Sequence, residues 1–189
     1  MADTDDARIT ALRKFTACDI SDALVKLKVS GAGFLPDLQL LGQLNAADAP
    51  ITIAPASTIL FARKGETLDS PPANIPKDIH WADVTQPGTI VIIRQPDGQK
   101  NAVCGGIMAV RMKVRQAKAV VVVGRARDLG ELASTGLPVI NGVVAIPKDR
   151  IDQVLELLPK LTAADDKVKE DVLEGVSVYD AFKAHRSNL

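Results

Sequence analysis

Apolar positions along the chain fall first at helical spacing and then at strand spacing. ITALRKF, residues 9–15, and DISDALVKLKV, residues 19–29, place apolar side chains three and four apart. That predicts two opening helices within residues 1–30, the second capped by Asp19 or Ser21. The pattern weakens from Gly31 to Pro50, and ITIAPASTILFAR, residues 51–63, then reads as a strand that Pro55 confines to an edge or a bend. A proline-rich loop follows, with Pro71, Pro72 and Pro76 and, just beyond, Pro87. Long loops of this kind are usually functional or mobile. His80 and Trp81 lie in it, and a lone histidine beside a tryptophan reads as a packed or surface pair rather than a ligand.

The middle of the chain alternates between the two periods. GTIVIIRQP, residues 88–96, is a short apolar run after a Pro-Gly turn; GGIMAVRMKVRQAK, residues 105–118, is helical; KAVVVVG, residues 118–124, is again a buried strand. Together they predict a βαβ unit. A further helix, DLGELAST, should end at Gly136, where a left-handed C-cap is least costly, and LPVI should open another strand. The expected fold is therefore α/β, with a core over residues 50–147 and a C-terminal helical tail over 148–189.

Composition narrows the class. At 189 residues the chain suits a single domain spanning 1–189. Its 23 basic and 23 acidic residues cancel, so no sequence-wide basic field points to nucleic acid, and a compact substrate is the better expectation. Only Cys18 and Cys104 are available for a disulfide, no basic-then-apolar leader is visible, and no apolar run approaches the roughly 20 residues of a membrane span. A cytoplasmic protein is expected.

The candidate chemistry lies where the greasiest segment ends. In AVVVVGRARDLGEL, residues 119–132, the chain leaves the sheet at Gly124 and at once presents Arg125, Arg127 and Asp128. Open parallel sheets bind ligands beyond the carboxyl ends of their strands. Gly105 and Gly106, after the preceding strand, open a helix whose free backbone N–H groups and positive end suit an anion such as a carboxylate. One rim thus offers an amide cradle, a guanidinium fork and an acid. Each part also has a plain structural reading: Asp128 with Glu131 three residues on matches a capping box, Gly-Gly can be a tight turn, and Arg127 can pair with a neighbouring acid.

NAVCGGIMAVRMKVRQAKAVVVVGRARDLGELASTGLPV, together with ISDAL, HWADVTQPGTIVIIRQP and NGVVAIPKDRIDQVLELLPKL, resembles the RraA-like family (regulator of ribonuclease activity A). It is most similar to the fungal-type branch related to 4-hydroxy-4-methyl-2-oxoglutarate aldolase. The resemblance implies a swivelling β/β/α domain, usually a homotrimer with sites between subunits. It implies cleavage of 4-hydroxy-4-methyl-2-oxoglutarate and its carboxylated relative to pyruvate with Mg2+ or Mn2+, and decarboxylation of oxaloacetate. The family signature is an acid, twenty residues, Arg-Asp, two residues, then Glu or Asp; Gly106 falls at the first place, and Arg127, Asp128 and Glu131 match the rest.

By that resemblance Asp128 anchors the metal, Arg127 grips the 2-oxo acid, and the amides of Gly105, Gly106, Ile107 and Met108 hold its carboxylate. Gly106 leaves one carboxylate of the signature unfilled. A carboxylate lent by the adjacent subunit is implied, with Asp165 or Asp166 in that role; from the residues alone, this acidic pair reads as a helix N-cap after LTA. No imine-forming lysine is required, and Lys113 and Lys118 read as solvated charges. Family members carry a few dozen residues between strands resembling LPVI and VVAI, whereas here Ile140 meets Asn141 directly, an internal deletion that local signals alone read as an Asn-Gly hairpin. Three alternatives stay open: a protein-binding regulator of the ribonuclease-inhibitor type, a methyltransferase, for which the glycine-rich loop and acidic ribose contact are not evident, and a non-catalytic structural subunit, with which the missing segment agrees.

Overall fold

The computed structural model of the protein describes residues 2–35, 51–66, 68, 74–76, 78–138, 144–174 and 176–186. The chain forms two compact units, Asp37–Asn141 and the combination of Met1–Pro36 with Gly142–Leu189.

The first of these is built on a parallel sheet. Strands β1 (Ala56–Leu60), β2 (Ile90–Arg94) and β3 (Ala119–Val123) pair in the order β1-β2-β3, with Ala56 opposite Ile90 and Ile90 opposite Ala119. Strand β1 begins directly after Pro55 and is an outer strand of the sheet among the described residues, in keeping with the proline before it. Helix α3 (Gly106–Val114) connects β2 to β3 and buries Ala109 and Met112, while α4 (Leu129–Ser134) follows β3 and buries Leu132. These side chains join Val91, Ile93, Val120, Cys104 and Leu137 in one core. Helix α4 ends before Gly136, whose φ of +64° is the left-handed conformation expected there. The chain then runs beside the start of β3, where Pro138 O accepts the Val120 N–H at 3.1 Å. The remainder of LPVI and the Ile140-Asn141 join lie outside the described residues.

The second unit is helical. Helices α1 (Ala2–Leu12), α2 (Ala17–Lys26), α5 (Ile151–Leu173) and α6 (Val178–Arg186) pack together, α5 touching each of the others. The α5 stripe Val154, Leu158, Leu161, Ala164 and Val168 follows the 3.6-residue period and is buried, as are Ile20, Ala23 and Leu24 of α2. Two local expectations need correcting. The α2 cap is Thr16: its hydroxyl accepts the Asp19 N–H at 3.3 Å, and Asp19 closes the box by accepting the Thr16 N–H at 2.8 Å. Ser21 instead donates to Ala32 O at 3.4 Å. Asp165 and Asp166 do not cap a helix, because α5 continues through Pro159 and leaves both in its interior. Packing of the stripe on either side of Pro159 outweighs the single backbone hydrogen bond that proline removes.

Arg186 binds Asp22 at 2.9 Å and Asp165 at 2.6 Å, tying α6 to α2 and α5. Burial lowers the pKa of this guanidinium, but the hydrogen bonds and charges of Asp22 and Asp165 more than offset it and leave it raised. No described helix is long and apolar enough to cross a membrane.

Candidate functional site

Beyond Val123 the sheet does not end cleanly, and this irregular extension creates the site. Val103 N–H donates to Arg125 O at 2.9 Å, Arg127 N–H donates to Cys104 O at 2.9 Å, and Cys104 and Ala126 form a single parallel bridge. The segment before α3 therefore runs alongside the segment before α4. Gly105-Gly106 and Arg127-Asp128, separated in sequence, become neighbours.

Gln95 fixes the same junction from below. It is buried; its amide nitrogen donates to Asn101 O at 2.6 Å, and its oxygen accepts the Arg125 N–H at 3.1 Å. Arg125 is thus held by its backbone, and Arg127 is the arginine that lines the adjoining cleft.

Asp128 occupies the position before α4, yet its side chain makes no capping bond. Its backbone is left-handed, at φ 57° and ψ 45°, which a residue with a Cβ adopts at a cost of about 1–2 kcal/mol. In that conformation the carboxylate turns towards α3. Its Oδ2 accepts the Gly106 N–H at 3.4 Å and lies 3.4 Å from Arg127 Nε. The capping alternative for Asp128 and Glu131 is therefore not what forms.

The two glycines are required by this approach. A Cβ on Gly105 would stand 2.7 Å from Asp128 Oδ2 and 3.2 Å from Arg127 Cγ. A Cβ on Gly106 would stand 1.9 Å from Glu131 Oε2 and 2.7 Å from Glu131 Cβ. Glu131 consequently fills the space that a side chain at position 106 would take, and it brings a second carboxylate to the start of α3. The N-cap residue of α3, Gly105, has no side chain to cap it; Asp128 accepts the Gly106 N–H from outside, and the N–H groups of the first turn have no partners within the helix.

A cleft of about 190 Å³ opens here, lined by Gly105, Ile107, Met108, Arg127 and Asp128 together with His80, Trp81 and Cys104. Burial raises the Cys104 thiol from 9.0 to about 11, so it stays protonated and unreactive near neutrality. His80 and Trp81 are the lining residues that sequence reasoning set aside as a packed pair. Their membership depends on the turn Trp81–Val84, which no periodicity foretells. Lys113 does not point to the cleft but reaches the Thr135 carbonyl. Asp165 and Asp166 belong to the helical unit, paired with Arg186 and Lys169 respectively.

Among the described residues no three or more His, Cys, Asp or Glu side chains converge as a metal cage. Among the described residues lining the cleft the one carboxylate is Asp128; Glu131 is not one of them and lies against Gly106 at the start of α3. Such a donor set suits a hard, largely hydrated ion such as Mg2+ or Mn2+, which accepts one or two carboxylates and keeps several waters, and it does not suit zinc.

Solved structures share this fold at low sequence identity. An uncharacterised protein from Pseudomonas syringae pv. tomato str. DC3000 superposes with a TM-score of 0.68 at 15% identity, over 95% of this chain and 94% of that one. A structure described as that of novel cellulases from gut-associated microbes gives 0.59 at 15% identity, over 86% and 87%. Streptomyces coelicolor RraAS2, an unusual member of the RNase ES inhibitor RraA family, gives 0.55 at 16% identity, over 90% and 96%. Comparison with curated proteins yields no significant match. The RraA-like (Aldolase/RraA) family profile matches residues 17–168, most of the chain including the whole cleft, and the protein belongs to that family.

Proposed function

We propose that the protein is a metal-dependent carbon–carbon lyase. It cleaves 4-hydroxy-2-oxo diacids of the 4-hydroxy-4-methyl-2-oxoglutarate kind to pyruvate and also decarboxylates oxaloacetate. The observation that carries this reading is the strained Asp128, whose carboxylate is turned from its own helix to the mouth of α3, beside Arg127. The cleft is smaller than the about 300–1,000 Å³ typical of drug-sized ligands, as a short 2-oxo acid needs.

The chain's own groups have separable tasks. The first-turn amides of α3 at Ile107 and Met108 hold the substrate carboxylate, beside the Gly106 N–H that Asp128 accepts, with Gly105 allowing the close approach. Arg127 grips two oxygens with its planar fork. In the aldol cleavage the C4 hydroxyl gives its proton to solvent water in the cleft as the C3–C4 bond breaks; C4 becomes the carbonyl carbon of a second 2-oxo acid, and the bond's electron pair becomes the enolate of pyruvate, which then takes a proton at C3. In decarboxylation carbon dioxide leaves with the same result. Arg127 stabilises the charge that develops on the enolate oxygen. Asp128 would hold Mg2+ or Mn2+, with Glu131 nearby at the start of α3, and the bound ion would supply Lewis acidity. No lysine lines the cleft among the described residues, in keeping with chemistry that needs no imine. The working form is a homo-oligomer, a trimer by family likeness, for which the apolar outer face of α3 is the supporting feature.

Pyruvate release from each acid, with Mg2+ or Mn2+ and with chelator, tests the proposal. Release should require the metal and should be lost in Arg127→Ala. Undiminished turnover after exhaustive chelation, or borohydride trapping of a substrate adduct, would overturn it. Metal-independent binding of a ribonuclease without any turnover would favour the regulator reading instead.

A further inference from the structure

His80 occupies the N-cap of the turn Trp81–Val84, and its Nδ1 accepts the Ala82 N–H at 3.2 Å. Ala82 is buried, so this backbone donor needs a partner, and Nδ1 is committed as an acceptor. The proton of the neutral ring therefore resides on Nε2, on the opposite edge of the imidazole.

The ring is also held in place. It lies against the Trp81 indole, with centroids 5.3 Å apart and a 36° tilt, and Trp81 meets Phe61 edge-on at 5.7 Å. Phe61 in turn donates its N–H to Arg94 O, at the end of β2, at 3.0 Å. The turn is clamped to α3 as well, through the ion pair of Asp83 with Arg111 and a hydrogen bond from Arg115 Nε to Thr85 O at 3.3 Å. A histidine of fixed tautomer is thus attached to the helix whose first turn forms the amide cradle, and it lines the same cleft as Arg127 and Asp128.

We propose that His80 is a substrate-binding residue that donates its Nε2–H to an oxygen of the bound 2-oxo acid. This rests on the keto-acid reading above and adds a specificity element to it. A small anion held by the α3 amides and Arg127 gains a third, neutral donor from a separate element. The site then selects acids that carry an oxygen at that place, because an analogue lacking it gains no hydrogen bond there.

Two conservative variants separate the donor role from the capping role. His80→Asn keeps a side-chain oxygen to cap Ala82 and removes the distal donor, whereas His80→Gln extends an amide nitrogen towards the Nε2 position. The probe is oxalate, titrated calorimetrically in the presence of Mg2+, with thermal unfolding recorded for each variant. His80→Asn should keep the wild-type melting temperature and bind oxalate roughly five- to tenfold more weakly, on the scale of one neutral hydrogen bond, with His80→Gln partly restoring affinity. In the wild type, 15N-detected imidazole resonances, simple to assign with only His80 and His185 present, should show the Nε2–H tautomer and move on oxalate addition. Wild-type affinity in His80→Asn, alongside lost affinity in Arg127→Ala, would refute the role of His80 and leave the keto-acid reading intact. A wild type that does not bind oxalate would overturn both. Should His80→Asn unfold, the wild-type resonances decide: His80 signals unmoved by saturating oxalate would refute the role.

Discussion

Asp128 and Arg127 contribute to the site by different means, one through a left-handed backbone and the other through an exposed side chain, 74% accessible. Arg127→Lys should be nearly as damaging to pyruvate release as Arg127→Ala, each losing about 2 kcal/mol or more of transition-state stabilisation, because a point charge cannot replace a fork on two oxygens. Arg125→Ala should matter less, since its contact with the junction is through the backbone; comparison of kcat/KM for the three variants checks this. Cys104 gives a prediction in pH. Its folded pKa, about 11, lies above the ordinary 9.0, so the stability associated with the buried neutral thiol is complete below pH 9 and is lost as pH rises towards 11. The slope should be about 1.4 kcal/mol per pH unit in that window, and urea unfolding of Cys104→Ala should show a correspondingly flatter alkaline limb. Arg127 and Asp128 were legible in the sequence because charges directly after four valines must surface at a strand end. The place of His80 was not, since its tautomer depends on one buried N–H two residues away. Nor was the service of Glu131, whose neighbour Gly106 stands 25 positions earlier.

At the level of elements, periodicity carried well where burial is one-sided. The segments read as GTIVIIRQP, GGIMAVRMKVRQAK and KAVVVVG contain β2, α3 and β3. It failed at ends, where single hydrogen bonds decide. Thr16 rather than Asp19 or Ser21 caps α2 because the capping box begins one turn earlier than the apolar stripe. The acidic pair Asp165-Asp166 suggested a helix start that α5 does not make, because five buried positions along one face hold the helix continuous through Pro159. Leu158→Ala, at the middle of that stripe, should therefore cost about 2–5 kcal/mol, read as a lower denaturation midpoint with an unchanged m-value. Gly106→Ala tests the contact between α3 and α4 in the opposite sense. The added Cβ meets Glu131 Oε2 and its Cβ, so the variant should lose about 1–3 kcal/mol, with part of the loss recovered in Gly106→Ala/Glu131→Ala. Additive losses in the double variant would show that the two helices do not meet there.

For the molecule as a whole the question is what covers the cleft beside α3 if it works as proposed. The outer face of α3 exposes Ile107 at 73%, Val110 at 51% and Val114 at 65%, spaced three and four apart on one stripe, a pattern that solvent does not favour. Ile107 also lines the cleft, so a second copy seated on this stripe would wall the site and exclude water from the developing enolate. A net charge of zero offers no repulsion against such association. Sequence periodicity assigned apolar positions to α3 without distinguishing this stripe from Ala109 and Met112, which the sheet covers, because both sets share the helical period. Val110→Lys should thus leave the fold and melting temperature nearly unchanged, since the side chain is exposed, while shifting sedimentation from an oligomer towards the monomer. Pyruvate release per subunit should fall with it, and wild-type release per subunit should fall on dilution through the dissociation range. Arg127→Ala should stay assembled though inactive, separating loss of chemistry from loss of assembly. A wild type that sediments as a monomer at high concentration and still releases pyruvate would refute the requirement for a second copy.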